Sequence, residues 1–389
     1  QKNIWKKQGS DGMKVVIACD SYKGCMTSSK VAQHIEKGIH KVNPRIETIS
    51  YVIGDGGEGT VDAFHETCGG VKQKVKASDA YGKPIETEYT LIDDGQTAVI
   101  EVANIIGLSM HPREKRAPFY GSSYGVGSVL LDAVNKGCKK IIIGLGGSAT
   151  NDGGMGFLQS LGARFYDSNH KYLSPQAMNL EKVRYIDFNR FNDLKDIELI
   201  AACDVKNHLL GEEGATFVFG KQKGLFPNQM KRLDQGMENF RNQIQRYTQV
   251  DINSFEGGGA AGGIGAVLIG ILHAKMIPGI ELLLSYSDFH EQVKTCDLVI
   301  TGEGQSDRQT AFGKVPVGIL KVANTYDKPV ICISGALGMD YMELYDLGFI
   351  GIYSIADRAM TFQSALDSAP EKLEACTYTI MKTIQYYKK

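Results

Sequence analysis

Carboxylates and glycine recur together in four short segments of this chain, two of which also hold a cation. They are Asp20–Gly24 (DSYKG), Gly54–Thr60 (GDGGEGT), Gly144–Gly156 (GLGGSATNDGGMG) and Thr301–Thr310 (TGEGQSDRQT). A fifth segment, Gly257–Gly263 (GGGAAGG), holds glycine and alanine alone. Without a Cβ the backbone can approach a phosphate closely, and loop N–H groups at a helix start offer donors and a positive dipole end. Carboxylates in such loops suit a divalent cation or substrate hydroxyls. Phosphate binding and acids together point to phosphoryl transfer, where basic side chains neutralise the transferred group. The candidate carboxylates are Asp20, Asp55, Glu58, Asp152, Asp204, Glu303 and Asp307, and the candidate cations are Lys23, Arg308 and Lys314. Any one acid of this kind can equally cap a helix or form a turn. An acid directly after an apolar strand, such as Asp20 or Asp204, leans further toward function.

Other chemistries find less support. There is no GxxxxGK[ST] run and no HRD or DFG, which removes Walker-A and protein-kinase-like sites. The eight histidines are scattered without HExxH or triad context, and Ser148 in GGSAT lacks a G-x-S-x-G elbow. A dinucleotide alternative rests on GxGxxG, which fits at Gly54-x-Gly56-x-x-Gly59 and again at Gly257-x-Gly259-x-x-Gly262, with Asp79 about 20 residues past the first. Asp55 and Glu58 lie inside that first loop and would repel a pyrophosphate. An NAD-dependent oxidoreductase is the rival enzyme class.

The elements that must position these residues alternate. Lys14–Asp20 reads as a buried strand, followed by an amphipathic helix from Ser28 to Lys41 with Val31, Ile35 and Ile39 on one face. Thr48–Ile53 is a second strand leading into the Gly54–Thr60 loop and a helix. Lys72–Ala77, Thr87–Ile92 and Ala98–Val102 then read as antiparallel strands joined by turns at Tyr81–Lys83 and Asp93–Gly95. The α/β rhythm returns with a helix at Ser122–Asn135 and strands at Lys140–Leu145, Glu198–Asp204, Leu298–Thr301, Val330–Ser334 and Ile350–Ile355. The expected fold is α/β: a Rossmann-like parallel-sheet domain, 13–75 plus 288–389, interrupted by an inserted α/β domain, 76–287, with some antiparallel strands. In such sheets ligands bind beyond the carboxyl ends of the strands, where all four charged segments fall.

Composition narrows the class. Forty-five glycines in 389 residues is about 12%, against a usual value of roughly 7%. The net charge of −1 gives no global grip on nucleic acid or an anionic membrane. Residues 257–274 (GGGAAGGIGAVLIGILHA) are uncharged but read as a glycine-rich loop entering a buried helix, not a membrane span. Eight single cysteines, with no CxxC pair and no zinc-ligand spacing, fit reduced core thiols and a cytoplasmic protein. The first twelve residues, QKNIWKKQGSDG, read as an expression remnant.

The motifs KVVIACDSYKGCMTSSKVAQHIEKG, GDGGEGTVDAF, GLGGSATNDGGMGFLQSLGARF, GGGAAGGIGAVL and TGEGQSDRQTAFGKVPVGI occur in this order. Together they resemble the bacterial glycerate kinase family, of the glycerate 2-kinase-like branch, from Met13 to about Lys382. One departure is that Cys19 and Cys25 flank the first loop, where relatives often carry Pro and Ser; Asp20, Ser21, Lys23 and Gly24 are untouched by it. The resemblance implies an ATP-dependent kinase acting on a hydroxyl of D-glycerate with Mg²⁺, in a two-domain α/β enzyme. The 2-hydroxyl is the expected acceptor, with a 3-phosphoglycerate-forming enzyme or a kinase of another small hydroxy acid as alternatives. A non-catalytic glycerate sensor is the rival of another class, and oligomeric state stays open.

Roles follow on that basis. Asp20, Ser21, Lys23, Gly24 and Arg308 would bind substrate, with Lys23 or Arg308 on its carboxylate. Gly146, Gly147, Ser148 and Asn151, with Gly257, Gly258, Gly259, Gly262 and Gly263, would cradle ATP phosphates. Asp55, Glu58 or Glu303 would hold Mg²⁺, and Asp204 or Asp307 would accept the hydroxyl proton, with Lys23 assisting catalysis.

Overall fold

The structure is a computed structural model, and it describes residues 12–54, 56–312 and 314–388. The chain divides into two compact units, Gln1–Asp55 with Ile280–Lys389, and Gly56–Gly279.

The first unit is built on five parallel strands. Their spatial order is Gly351–Ser354, Val330–Ser334, Leu298–Gly302, Lys14–Cys19 and Glu47–Val52. Numbered along the unit and read from the Glu47–Val52 edge, this is 2-1-3-4-5, one of the two common doubly wound orders. The apolar runs VVIAC, LVIT and VICI are buried on both faces, as a parallel sheet under helices demands. Val31, Ile35 and Ile39 of helix Ser28–Val42 and Leu373 and Met381 of helix Phe362–Lys388 complete that core. The two helices approach closely at Gly38, where a Cβ would lie 2.7 Å from the Thr377 Cβ. The winding direction reverses between Lys14–Cys19 and Leu298–Gly302. Connections leave these neighbouring strands on opposite faces, so their carboxyl ends frame a crevice.

The second unit holds a six-stranded mixed sheet in the order Lys275–Ile277, Glu198–Ala202, Lys140–Gly144, Thr97–Glu101, Pro84–Ile92, Val71–Ser78. The first four are parallel and the last two antiparallel. Thr97–Glu101 thus pairs antiparallel on one side and parallel on the other, so only part of the expected antiparallel set is purely so. Helix Pro227–Thr248 packs Met230, Leu233, Met237, Phe240 and Ile244 inward. The glycine run ends in a 3-10 turn, Ala260–Gly263, which leads into the buried helix Ile264–Gly270. Among the described residues no helix is long and apolar enough to cross a membrane.

The units part at 55/56 and 279/280, not at 75 and 288. Residues 56–75 go with the second unit because Glu101 caps the helix Thr60–Cys68 and because Gly56 lies against the Ala202 carbonyl. Ile280 goes with the first because its side chain fills the space over Gly318.

Candidate active site

In the first unit the crevice is lined by the loops that leave the two central strands. Asp20 extends Lys14–Cys19; its N–H donates to the Gly302 carbonyl at 2.8 Å, and its Oδ1 accepts from the Ser21 N–H at 2.7 Å. Tyr22 is buried and donates its hydroxyl to the Ile333 carbonyl at 2.8 Å, which pins the loop across the sheet. That anchor leaves Lys23 and Gly24 exposed at the turn, with Gly24 at φ +80°, a left-handed conformation glycine tolerates. A Cβ on Gly304 would meet the backbone of Tyr22 and Lys23 at 3.6–3.7 Å, so the loops after both strands run side by side.

Glu303, directly after Leu298–Gly302, is buried at the centre of a clasp. Its Oε1 accepts from the Thr310 hydroxyl at 2.6 Å and the Ser306 hydroxyl at 3.0 Å, and its Oε2 faces the Lys314 ammonium at 3.3 Å. Ser306 Oγ lies 2.7 Å from Ser334 Oγ, tying the clasp to the next strand. Burial raises the Glu303 pKa, and the Lys314 charge and the two hydroxyls oppose that rise. A carboxylate engaged this way holds its own loop in shape, with both oxygens already facing donors of the protein. Asp307, partly buried, accepts from Gln305 at 3.2 Å and sits against Gly338. Arg308 is exposed and pairs with Glu343 at 3.6 Å.

In the second unit the loops Gly56–Thr60 and Leu145–Gly156 cover the carboxyl ends of the parallel strands. Gly146 donates its N–H to the Gly56 carbonyl at 2.9 Å, and a Cβ on Gly146 would stand 2.4 Å from the Gly57 Cα. Glycine is required here for backbone to pack on backbone. Asp152 is fully buried and accepts from Ser123 N–H and hydroxyl and from the N–H groups of Gly154 and Gly156. It organises the loop. Asn151 Nδ2 donates to Thr216 at 2.9 Å, while Asn151 Oδ1 and Thr150 Oγ1 are buried without a partner. Asp204, partly buried, accepts from the Gly279 N–H at 3.2 Å.

Two buried ionisable residues of this unit carry no expected role. Glu101 ends its strand and accepts from the N–H groups of Gly59 and Val61, both at 3.1 Å. Burial pushes its pKa up to about 7, against the two amide bonds, with Asp62 and Glu58 adding to the rise. An acid ending an apolar strand, the pattern that marks Asp20 and Asp204, is the signal for it. The other is Lys223, which donates to the Thr150 carbonyl and Ser148 Oγ. It lies in KQKG, which has the composition of a solvated helix end, and no sequence signal separates it from its neighbours.

These contacts correct further expectations. In the run Gly257–Gly263 the N–H groups of Gly258, Gly259 and Gly262 donate to Phe255, Asn207 and Gly259 carbonyls, so they are unavailable to a phosphate. A Cβ on Gly262 would lie 2.2 Å from the Thr150 carbonyl and one on Gly263 2.4 Å from Gly153 Cα. The run is a backbone-packing element supporting the loop 150–154. The dinucleotide alternative also loses its footing: Glu101 already fills the helix start after Gly54–Gly59 with the protein's own carboxylate. Asp79 spends Oδ1 on the N–H groups of Tyr81 and Lys83 in a turn. Glu58 is exposed in its loop, and Asp55 lies outside the described residues. Among the described residues no three His, Cys, Asp or Glu side chains group as a metal nest.

Comparison with known proteins adds an independent line. The sequence pattern of the glycerate kinase family matches residues 15–385. A glycerate kinase of Halalkalibacterium halodurans is 41% identical over 367 residues, covering 94% of this chain and 97% of the relative. A glycerate 2-kinase of Escherichia coli K12 is 38% identical over 373 residues, covering 96% of this chain and 98% of the relative. A crystal structure from Salmonella typhimurium LT2, provisionally labelled glycerate kinase 2, is similar with a TM-score of 0.81 and 36% identity, covering 97% of this chain and 99% of that one.

Proposed function

This chain belongs to the glycerate kinase family, and on that premise we propose that it transfers the γ-phosphoryl group of ATP to the 2-hydroxyl of D-glycerate, giving 2-phosphoglycerate and ADP. The observation that carries the proposal is the crevice at the reversal of the five-stranded sheet. There an exposed lysine, Lys23, and the acids Asp20 and Asp307 stand on loops locked by Tyr22 and by the Glu303 clasp. Rigid loops carrying a few charges suit a small anion with hydroxyls. The name of the Escherichia coli relative supports the 2-position.

Lys23 and the backbone at Ser21 and Gly24 would take the glycerate carboxylate. Arg308 joins them only by releasing Glu343, an exposed pair worth little. Gly147, Ser148 and Asn151, at the carboxyl end of Lys140–Gly144, would meet ATP phosphates, while Gly146 serves as the packing point for Gly56. Mg²⁺ binds through one or two carboxylates, phosphate oxygens and water, and would neutralise phosphate charge. The exposed Glu58 fits that requirement; Asp55, three residues earlier in the sequence, is the other candidate carboxylate. Asp307 or Asp204 would accept the hydroxyl proton. The same proposal places the protein in the cytoplasm, supported by eight free cysteines.

The test is ATP plus D-glycerate with enolase added directly. Enolase consumes 2-phosphoglycerate and not the 3-isomer, so phosphoenolpyruvate formation is the expected result. ADP without phosphoenolpyruvate would move the product to 3-phosphoglycerate. No glycerate-dependent ADP would overturn the proposal.

A further inference from the structure

Lys223 is a buried cation that the roles above leave unused. It ends helix Ala215–Lys223, where the carbonyl end of the helix favours positive charge. It is 2% exposed, and its Nζ donates to the Thr150 carbonyl at 2.6 Å and to Ser148 Oγ at 3.1 Å. Among the described residues no carboxylate forms an ion pair with it. Asp152 acts on it through space, but the Asp152 oxygens already accept from Ser123, Gly154 and Gly156. Burial accordingly pushes the Lys223 pKa down to about 7. A site that needed only volume would be filled at lower cost by an apolar side chain.

The direction of the Ser148 bond matters. An ammonium has three donors and no acceptor, so Ser148 Oγ accepts from Lys223 and keeps its own proton to donate elsewhere. Ser148 stands in the loop leaving the carboxyl end of Lys140–Gly144, directly after Gly147 at φ +73°. It retains 4% exposure, whereas Thr150 and Asn151 beside it have none. Thr150 Oγ1 and Asn151 Oδ1 add two buried polar atoms without partners to the same loop. A cation that leaves a serine hydroxyl its proton to donate, beside unsatisfied polar atoms, suits a ligand with oxygens to offer.

We infer that Lys223 is a positioning residue for an oxyanion bound at Ser148, holding the serine so that its hydroxyl donates to the anion. This rests on the kinase activity proposed above, in which the oxyanion is either a phosphate of ATP or the carboxylate of glycerate.

Calorimetric titration with ATP alone and with glycerate alone, beside steady-state kinetics, tests it with Ser148→Ala, Lys223→Met and Lys223→Arg. Loss of one charge-assisted bond corresponds to about tenfold or more in affinity. Ser148→Ala and Lys223→Met are expected to weaken one anion by that factor, and the anion affected identifies the source. Relative to Lys223→Arg, wild-type affinity for it should fall as pH rises from about 6 to about 9 and Lys223 loses its proton; titration of the ligand itself is common to both proteins and cancels in that difference. A side chain that merely props the loop would not give that difference. Wild-type affinity for both anions in Ser148→Ala, or matching pH profiles for wild type and Lys223→Arg, would overturn the inference. Where Lys223→Met does not fold, the other two variants decide. A wild type that binds an anion as described but turns over no glycerate would refute the kinase proposal and leave this one standing.

Discussion

Replacing Glu101 by Gln removes an ionisation that the fold makes costly. The carboxylate is 1% exposed, and its pKa stands at about 7 against an ordinary 4.5. Between those values the folded chain holds a proton that the unfolded chain has released. Stability therefore falls as pH rises through this window; the contribution is complete below pH 4.5 and gone above about pH 7. The full difference corresponds to roughly 3 kcal/mol, of which about 2.5 kcal/mol is lost between about pH 5 and 8. The glutamine side chain cannot ionise, and it keeps one acceptor for the Gly59 or Val61 N–H while opposing the other with its own amide. Glu101→Gln should thus be slightly less stable than wild type at about pH 5, by about 1 kcal/mol. It should overtake wild type by about pH 8. Other titrating groups, Lys223 and Glu303 among them, are common to both proteins and cancel in the difference. At about 2–4 °C per kcal/mol for a unit of this size, the gap in Tm between the two proteins should move by roughly 5–10 °C across the range. Thermal melts at several pH values across that range measure it. Parallel pH profiles for the two proteins would refute the assignment of a raised Glu101 pKa.

Further expectations are checked more simply. Asp307→Asn or Asp204→Asn should lower kcat by about 10²–10⁴, whichever removes the base; near-normal turnover in both would exclude each. Lys23→Ala should raise KM for glycerate about tenfold or more with Tm unchanged, because Lys23 is exposed and its loop is held by Tyr22. Glu303→Ala strips Thr310, Ser306 and Lys314 of a shared acceptor, so both Tm and glycerate affinity should fall, by about 2 kcal/mol or more in stability. Gly262→Ala drives a methyl into the Thr150 carbonyl at φ +67° and should cost about 3 kcal/mol or more, read as lost Tm.

Hydrophobic periodicity is local, and it set most of this architecture in the sequence. VVIAC, LVITG and VICIS can only be strands buried on both faces, and Val31, Ile35 and Ile39 can only be one face of a helix. The change from βα alternation to paired strands also marked the second unit. The spacing Met230, Leu233, Met237, Phe240, Ile244 is equally periodic and makes Pro227–Thr248 legible by the same rule. Acids after apolar runs pointed to Asp20 and Asp204; Glu101 ends an apolar strand in the same way and carries no expected role. Glycine-rich loops pointed to the strand ends.

Tertiary structure alone decided what each polar group does there. Glycine at a strand end permits close approach by a phosphate or by other backbone, and the sequence does not say which; Gly146 meets Gly57, and Gly262 meets Thr150. A carboxylate in a loop is a ligand, a cap or a clasp according to which donors reach it first. Glu303 is held by Thr310, Ser306 and Lys314, and Glu101 by two amides some 40 residues earlier in the chain. In the run KQK, Lys223 is buried and Lys221 exposed because only one faces Ser148 and Thr150. Charge and residue type are written locally, but desolvation and hydrogen-bond partners depend on segments far apart in the chain, and those set protonation and role.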